Sequence, residues 1–414
     1  MIVSRRSRPR RSATEWLVRL LLLVVVLLAG YVGVTFSLAR VLFRSNPETA
    51  HLLAPYDGRI TAALAFSLAS KDAKAVDFNR ADTLARLALR QTPTSVVALS
   101  TLGLIRDARG DVRSARLLFN GAETLSRRDL PTQLWMIEDT AVRRGDVAAA
   151  LRHYDIALRV FPNSWELLFP VLATASGSPV IRSGLIRTLS APSAWGPFFV
   201  EYIAGHGPDP HAAAQLLLTL RRKGGNIPDK AQASVIDRLV DDGSIDEAWT
   251  YYASLRPGMD RRRSRDAQFA YGGQPLSQFD WQPVESAGVT ASIQNGVFDF
   301  MVATGAGGPI LRQAQLLPQG VYRLDGHSVG IDQSGDARPY WVLSCRDGRE
   351  LGRIVIPDSS KAQGRFSGTL TVPPSCPMQS LALIAQPSDG LGGLAGQIDR
   401  AQVVPASRAG GSPQ

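Results

Sequence analysis

The chain is poor in cysteine, histidine and lysine. Its 414 residues hold two Cys and five His. Two cysteines exclude a disulfide-dense scaffold and a four-cysteine zinc site. The five histidines are scattered, and no HExxH, Walker loop or zinc spacing occurs, so neither a metal nor a cofactor is expected. Thirty-seven Gly and 26 Pro are too few and too irregular for a collagen-like chain. Charged residues at 20% against hydrophobic ones at 45% exclude wholesale disorder. Only five of the 46 basic residues are Lys, so the net charge of +10 is an arginine excess, which genome base composition produces as readily as a partner does. At roughly 150 residues per domain, the length predicts two to three units.

What is present begins with an address. Residues 1–15 carry Arg5, Arg6, Arg8, Arg10 and Arg11 against one acid, Glu15, and read as a basic cytoplasmic tail. Twenty residues without a charge follow, Leu20 to Ala39. As a helix they would cover about 30 Å, the thickness of a bilayer core. Trp16 and Arg19 sit where an interfacial aromatic and a snorkelling cation belong, so the anchor spans 16–39. The positive-inside rule then keeps the N-terminus in the cytoplasm and exports the rest, which in a bacterium means a single-pass inner-membrane protein with its bulk in the periplasm. A cleaved signal peptide is the alternative, since Ser37-Leu-Ala39 is a small-x-small site; the apolar stretch is longer than a usual signal core, which favours the anchor. The Arg5-Arg6 pair lacks the following apolar residue of a twin-arginine signal.

Residues 40–59 read as a juxtamembrane linker and 60–258 as a helical-repeat domain rich in Ala, Leu and Arg. Ala81, Ala88 and Pro93 recur 34 residues on as Ala115, Ala122 and Arg127, and 35 further on as Ala150, Ala157 and Pro162. Phe119 and Tyr154 fill the slot between the alanines, and Gly110-Asp111 recurs as Gly145-Asp146. Such a unit is a helix–turn–helix: a left-handed Gly ends one helix, Asp caps the next, and alanines let the pair approach. Gly103 is the small residue on the first helix of one copy; Glu138 replaces it in the next. This pattern resembles the tetratricopeptide repeat family, with copies at about 62–95, 96–130 and 131–164 and a degenerate one near 231–258 around Gly243, Ala248 and Tyr252. The resemblance implies a scaffold that grips a protein partner and carries no chemistry; a stalk that only holds the C-terminal domain is the alternative.

Arg261, Arg262, Arg263 and Arg265 lie in a basic linker, 259–274, read as solvated, with contact to an anionic polymer or lipid surface as the alternative; an exported chain rarely meets nucleic acid, and none is expected as a partner. From 275 to 405 short alternating runs replace the helical period. Strands are expected at 289–294, 297–303, 310–317, 321–329, 340–345, 351–356, 365–372, 381–386 and 397–404, with Asn295-Gly296 as a two-residue hairpin. Eight or nine strands at this spacing fit a jelly roll or related sandwich. Cys345 and Cys376 fall in this domain and would pair in an oxidising compartment, closing a loop worth roughly 3–4 kcal/mol; two buried thiols are the alternative. Residues 406–414 read as a disordered tail.

Phe279-Asp-Trp281, the run from Leu316 to Leu324 and the closing Gly396-Gln-Ile398-Asp399 strand resemble carbohydrate-binding and galactose-binding-like jelly rolls. That resemblance makes exposed aromatics the candidate glycan platforms: Trp281, Tyr340 and Trp341. The last two are neighbours in a strand, so one faces in and the other out. The order of anchor, repeats and sandwich resembles exported exopolysaccharide-associated repeat proteins of proteobacteria.

Motifs for catalysis do not hold. Gly326-His-Ser328-Val-Gly330 imitates a nucleophile elbow, yet a loop follows and no His lies beyond Ser328. Gly390-Leu-Gly392-Gly-Leu-Ala395 has no room for a βαβ unit, and His206 with His211 reads as a solvated loop. Asp280 with Glu285 and Asp347 with Glu350 are the nearest carboxylate pairs for glycosidic chemistry. The expectation is therefore a non-enzymatic periplasmic scaffold or binding protein of cell-envelope or exopolysaccharide assembly or export, its repeats on a protein partner and its sandwich contacting glycan or a second partner. A glycan-modifying enzyme using sandwich carboxylates is the competing reading. A third is a sandwich that merely caps the helices, which contact between residues 249–252 and the sandwich would support.

Overall fold

A computed structural model describes residues 13–70, 77–271, 277–333, 335–388 and 393–406. Most of the basic tail, the C-terminal tail from 407 and residues 390–392 of the glycine loop lie outside the described residues. The chain forms two compact units, Met1–Trp165 and Glu166–Gln414, so the division falls inside the helical stretch, and the later helices share a unit with the sheets.

The first unit opens on α1 (Ala13–Leu42), whose span Thr14–Leu42 has mean hydropathy 2.6 and is long and apolar enough to cross a membrane. Its last turns are not loose. Ala39 is fully buried with Ala50, Ala54 and Ile60, and Leu42, Phe43 and Leu53 pack around them. Residues 40–59, read as a linker, thus contain α2 (Pro47–Leu53) and the start of α3 (Gly58–Ala69).

Antiparallel helices follow: α4 (Phe78–Gln91), α5 (Val96–Ala108), α6 (Val112–Leu125), α7 (Leu130–Glu138) and α8 (Val147–Val160). Asp side chains cap α3, α4, α6, α7 and α8 by accepting an early backbone N–H, each satisfying a donor the helix cannot. Gly110 (φ 81°) and Gly145 (φ 65°) take the left-handed conformation before the capping Asp111 and Asp146. Ala115, Phe119, Ala122, Ala150 and Ala157 are buried, with Tyr154 close behind. A Cβ on Gly103 would lie 2.7 Å from the Phe119 ring, so only glycine lets α5 and α6 close. Phe119 also stacks on Trp135 of α7 at 4.4 Å, joining one helix pair to the next. Pro162 begins a 3₁₀ turn, Pro162–Ser164, just past α8.

Glu138 points to solvent, because α7 runs into a π-helical turn, Asp139–Arg143. That turn buries Asp139 instead. Its carboxylate accepts two hydrogen bonds from Arg116, at 2.7 and 2.9 Å, with Arg144 at 3.3 Å. The Arg116 guanidinium holds Asp139 below the usual carboxylate range against the opposing effect of burial.

The second unit holds six helices among its described residues: α9 (Trp165–Ala175, from the boundary), α10 (Pro179–Leu189), α11 (Gly196–His206), α12 (Pro210–Arg222), α13 (Asp229–Asp241) and α14 (Ile245–Leu255). His206 and His211 are not in a solvated loop. His206 ends α11 stacked on Tyr202, and His211, in the first turn of α12, lies 2.5 Å from Glu247 and 3.2 Å from Asp242.

The strands are β1 (Gln282–Pro283), β2 (Val289–Gln294), β3 (Val297–Val302), β4 (Gly308–Gln315), β5 (Gly320–Val329), β6 (Tyr340–Cys345), β7 (Glu350–Val355), β8 (Arg365–Val372), β9 (Gln379–Ala385) and β10 (Leu394–Pro405). They form two antiparallel five-stranded sheets, β1-β4-β9-β6-β7 and β2-β3-β10-β5-β8. Asn295 and Gly296 both have positive φ, as a two-residue hairpin between β2 and β3 requires. Inward residues such as Phe298, Phe300, Leu324, Trp341 and Leu383 share one core. Cys345 and Cys376 are bonded, with Cα atoms 5.7 Å apart.

The basic linker is only partly solvated. Arg265 is 2% exposed. Its Nε donates to the Phe279 carbonyl at 2.7 Å and its Nη2 to the Ala314 carbonyl, while the guanidinium lies over the Trp249 and Phe279 rings. Those carbonyls and rings replace part of the water a charged group would lose, while Nη1 is buried without a hydrogen-bond partner. Burial pushes its pKa down to about 10, leaving it charged at neutral pH. Beside it Phe279 packs on Tyr252 at 5.4 Å and on Trp249 at 6.0 Å, so α14 and the sandwich share an aromatic seam.

Candidate functional site

Two of the three aromatic platforms expected from the sequence are buried. Trp281 is 3% exposed and Trp341 fully buried, with ring centroids 5.6 Å apart in the core. A large ring gains more by filling the space between two sheets than by facing water. Tyr340 faces outward as the alternation requires, and the Arg353 guanidinium covers its ring at 4.1 Å.

The paired carboxylates are likewise committed elsewhere. Asp280 is buried, accepting from Tyr252 at 2.7 Å with Arg256 at 3.5 Å, while Glu285 is exposed. Asp347 accepts the Arg349 backbone N–H in the β6–β7 turn, and Glu350 pairs with Arg353 at 2.9 Å. Neither pair faces across a cleft.

What the fold builds instead is a polar groove on the outer face of β10, β5 and β8, of about 840 Å³. Asp325, His327, Arg365, Ser367, Asp399 and Arg400 line it. Strand period places them. Arg323, Asp325 and His327 alternate outward along β5 while Tyr322, Leu324 and Ser328 turn in. Register then sets two rows across three strands: His327 pairs with Arg400 on one side and Arg365 on the other, and Asp325 likewise with Gln402 and Ser367.

A register shift between Ile398 and Arg400 makes Asp399 the extra residue of a β-bulge. The bulge brings its carboxylate to the outer face, where both oxygens lie 2.9 Å from His327 Nδ1. Asp325 accepts from Arg323 at 2.7 Å and from Ser367 at 2.8 Å. Between Asp325 and His327, Gly326 sits on the inner side of β5, where a Cβ would collide with the Phe366 ring and the Arg400 carbonyl, so the strand packs tightly there. These groups present carboxylate acceptors, a hydroxyl and two guanidinium forks on a rigid sheet. That set suits hydroxyls and anions; among the described residues no group of three His, Cys, Asp or Glu is placed to hold a metal.

Ser328 of the elbow-like motif points the opposite way from His327. It is buried, 3.1 Å from the Ser359 hydroxyl and donating to the Gly364 carbonyl at 3.2 Å, so the two cannot act as nucleophile and base.

A second, smaller recess of about 360 Å³ lies between α13 and the β1-β4-β9-β6-β7 sheet. Asp237 there accepts from Gln278 at 3.0 Å, and burial raises its pKa above the usual carboxylate range. Asp237 and Asp241 are four apart on one helix and so lie on the same wall.

The groove residues carry no aromatic signal in the sequence. The signal available was the period-two polar set on the strand at 321–329 and the arginines bordering its neighbours.

No family model matches this chain, and no curated protein does. Among solved structures, a chain of the Glycosylation Associate Protein (Gap123) complex from Streptococcus agalactiae is similar over 31% of this chain, at 8% identity and a TM-score of 0.21. The match spans 43% of that chain, less than half its length.

Proposed function

We propose that this protein is a non-enzymatic, membrane-anchored scaffold and binding protein of cell-envelope or exopolysaccharide assembly or export. α1 anchors it with the N-terminus cytoplasmic and the bulk periplasmic. The helical pairs of the first unit hold a protein partner, and the sandwich contacts glycan. One observation carries the reading: the groove across β10, β5 and β8, where fixed Asp, Ser, His and Arg side chains form an array suited to sugar hydroxyls. The burial of Ala39 against Ala50 and Ile60 supports it, because a rigid junction would hold the repeats close to the bilayer.

The test is binding of neutral and acidic oligosaccharides to the full chain in zwitterionic nanodiscs, with D325N and H327A as variants. Binding weakened by both variants is expected; failure of every oligosaccharide to bind overturns the glycan reading. A C-terminal alkaline phosphatase fusion is expected to be active, and a fluorescent protein fused there that matures only inside the cell would overturn the topology.

The enzyme reading is favoured by one observation, the convergence of Asp325, His327 and Asp399 in that groove. Shortening or mass change of a bound oligosaccharide during incubation would select it over the scaffold.

A further inference from the structure

Resting on the reading of the groove as a glycan site, we infer that its ligand is a carboxylate-bearing sugar of an acidic polysaccharide, held between Arg365 and Arg400. Arg400, His327 and Arg365 occupy one row across three adjacent strands. Two strand spacings separate the arginines' backbones by about 10 Å. Both are exposed and both line the groove. Arg365 has no ion-pair partner among the described residues, and Arg400 donates only to the neutral Gln402, at 3.1 Å. Two guanidinium forks are thus left with charge to satisfy, in the geometry that suits carboxylates.

The carboxylates beside that row decide which anion. Asp325 and Asp399 each accept from one or two neighbours, and a carboxylate has about four lone-pair sites, so acceptor capacity remains beside the arginines. Those acceptors call for hydrogen-bond donors, so an anion that brings no donors of its own leaves them unmatched. A uronic-type sugar carries both complements, hydroxyl donors for the aspartates and a carboxylate for an arginine.

The experiment compares galacturonate and alginate oligosaccharides with their methyl esters on the full chain in phosphatidylcholine nanodiscs, by calorimetry. Acidic oligomers are expected to bind about tenfold or more tightly than the esters, with affinity falling as salt rises. R365Q and R400Q should each remove most of that preference, and R365K should keep part of it. Both sites are on the solvent face, and a thermal melt confirms that the variants fold. Esters binding as tightly as acids, with R365Q unchanged and D325N weakened, would overturn the acidic ligand and leave the glycan reading standing. No binding by any oligosaccharide would overturn both. Arginine-dependent capture by phosphatidylglycerol vesicles, without oligosaccharide binding, would assign the groove to lipid instead.

Discussion

The phenol of Tyr252, at the end of α14, donates to the Asp280 carboxylate at 2.7 Å where the chain enters the sandwich. Both side chains are buried, Arg256 reaches the same carboxylate at 3.5 Å, and burial raises the Tyr252 pKa, so it stays a donor. The helices and sheets of the second unit are therefore joined by a hydrogen bond that water cannot replace. This is the contact that the reading of the sandwich as a cap on the helices required. It does not compete with a binding role for the opposite sheet.

Tyr252→Phe keeps the ring and removes only the donor. The buried carboxylate loses a partner, which costs about 1–3 kcal/mol. Helical far-ultraviolet and aromatic near-ultraviolet signals of this unit should shift together to lower urea. A variant in which only one of the two signals shifts would show that the seam does not couple them.

In the first unit the Gly103–Phe119 contact gives a sharper test. A methyl at 103 meets the ring at 2.7 Å, so Gly103→Ala should cost about 1–3 kcal/mol despite alanine's better helix propensity. Phe119→Leu alone should also destabilise, by removing the stack on Trp135. In the double variant the smaller side chain leaves room for the methyl. The combined loss should be less than the sum, and additive losses would mean that the two residues do not share the space.

Much of this fold was legible because it depends on local periodicity. The alternation over 289–404 placed nine strands within a few residues, and the 34–35-residue spacing found the alanine seams. The two-residue β1 left no such trace, nor did α11, whose Gly196, Pro197 and Gly205 dilute the helical signal. What the sequence does not display is burial decided by distant partners. Arg265 sits in a run of arginines, and only the fold brings the Phe279 and Ala314 carbonyls to it. Trp281 and Trp341 are aromatics of the same kind whether packed or exposed, and the facing sheet decides which. The Arg400–His327–Arg365 row depends on register between strands far apart in sequence, which one chain does not display.

The Cys345–Cys376 bond closes a loop 31 residues apart in sequence. In the chain-entropy model that is worth roughly 3–4 kcal/mol, so reductant, or the double Cys→Ser variant, should lower the melting temperature of the second unit by several degrees. Protein taken from cells and blocked with alkylating reagent should run differently on non-reducing and reducing gels if the sandwich is exported. A fully alkylated pair would argue that the sandwich meets a reducing compartment.

Two histidines should respond to pH with opposite sign. His153 is 2% exposed, with Nδ1 2.9 Å from the Gln133 amide oxygen; burial lowers its pKa, and Glu123 at 3.5 Å opposes that only in part. His211 is half exposed, and its hydrogen bond to Glu247 raises its pKa. A lowered folded value means stability present above the unfolded value of 6.5 and lost as pH falls through the folded one. A raised value means stability complete below 6.5 and lost as pH rises through the folded one. Melts of the wild type, H153N and H211Q between about pH 5 and 9 separate these effects, since few other side chains titrate there. The advantage of wild type over H153N should shrink towards pH 5, while its advantage over H211Q should grow. An H211Q difference that does not change with pH would mean that the imidazole is not charged in the fold, and that the Glu247 contact is a neutral hydrogen bond.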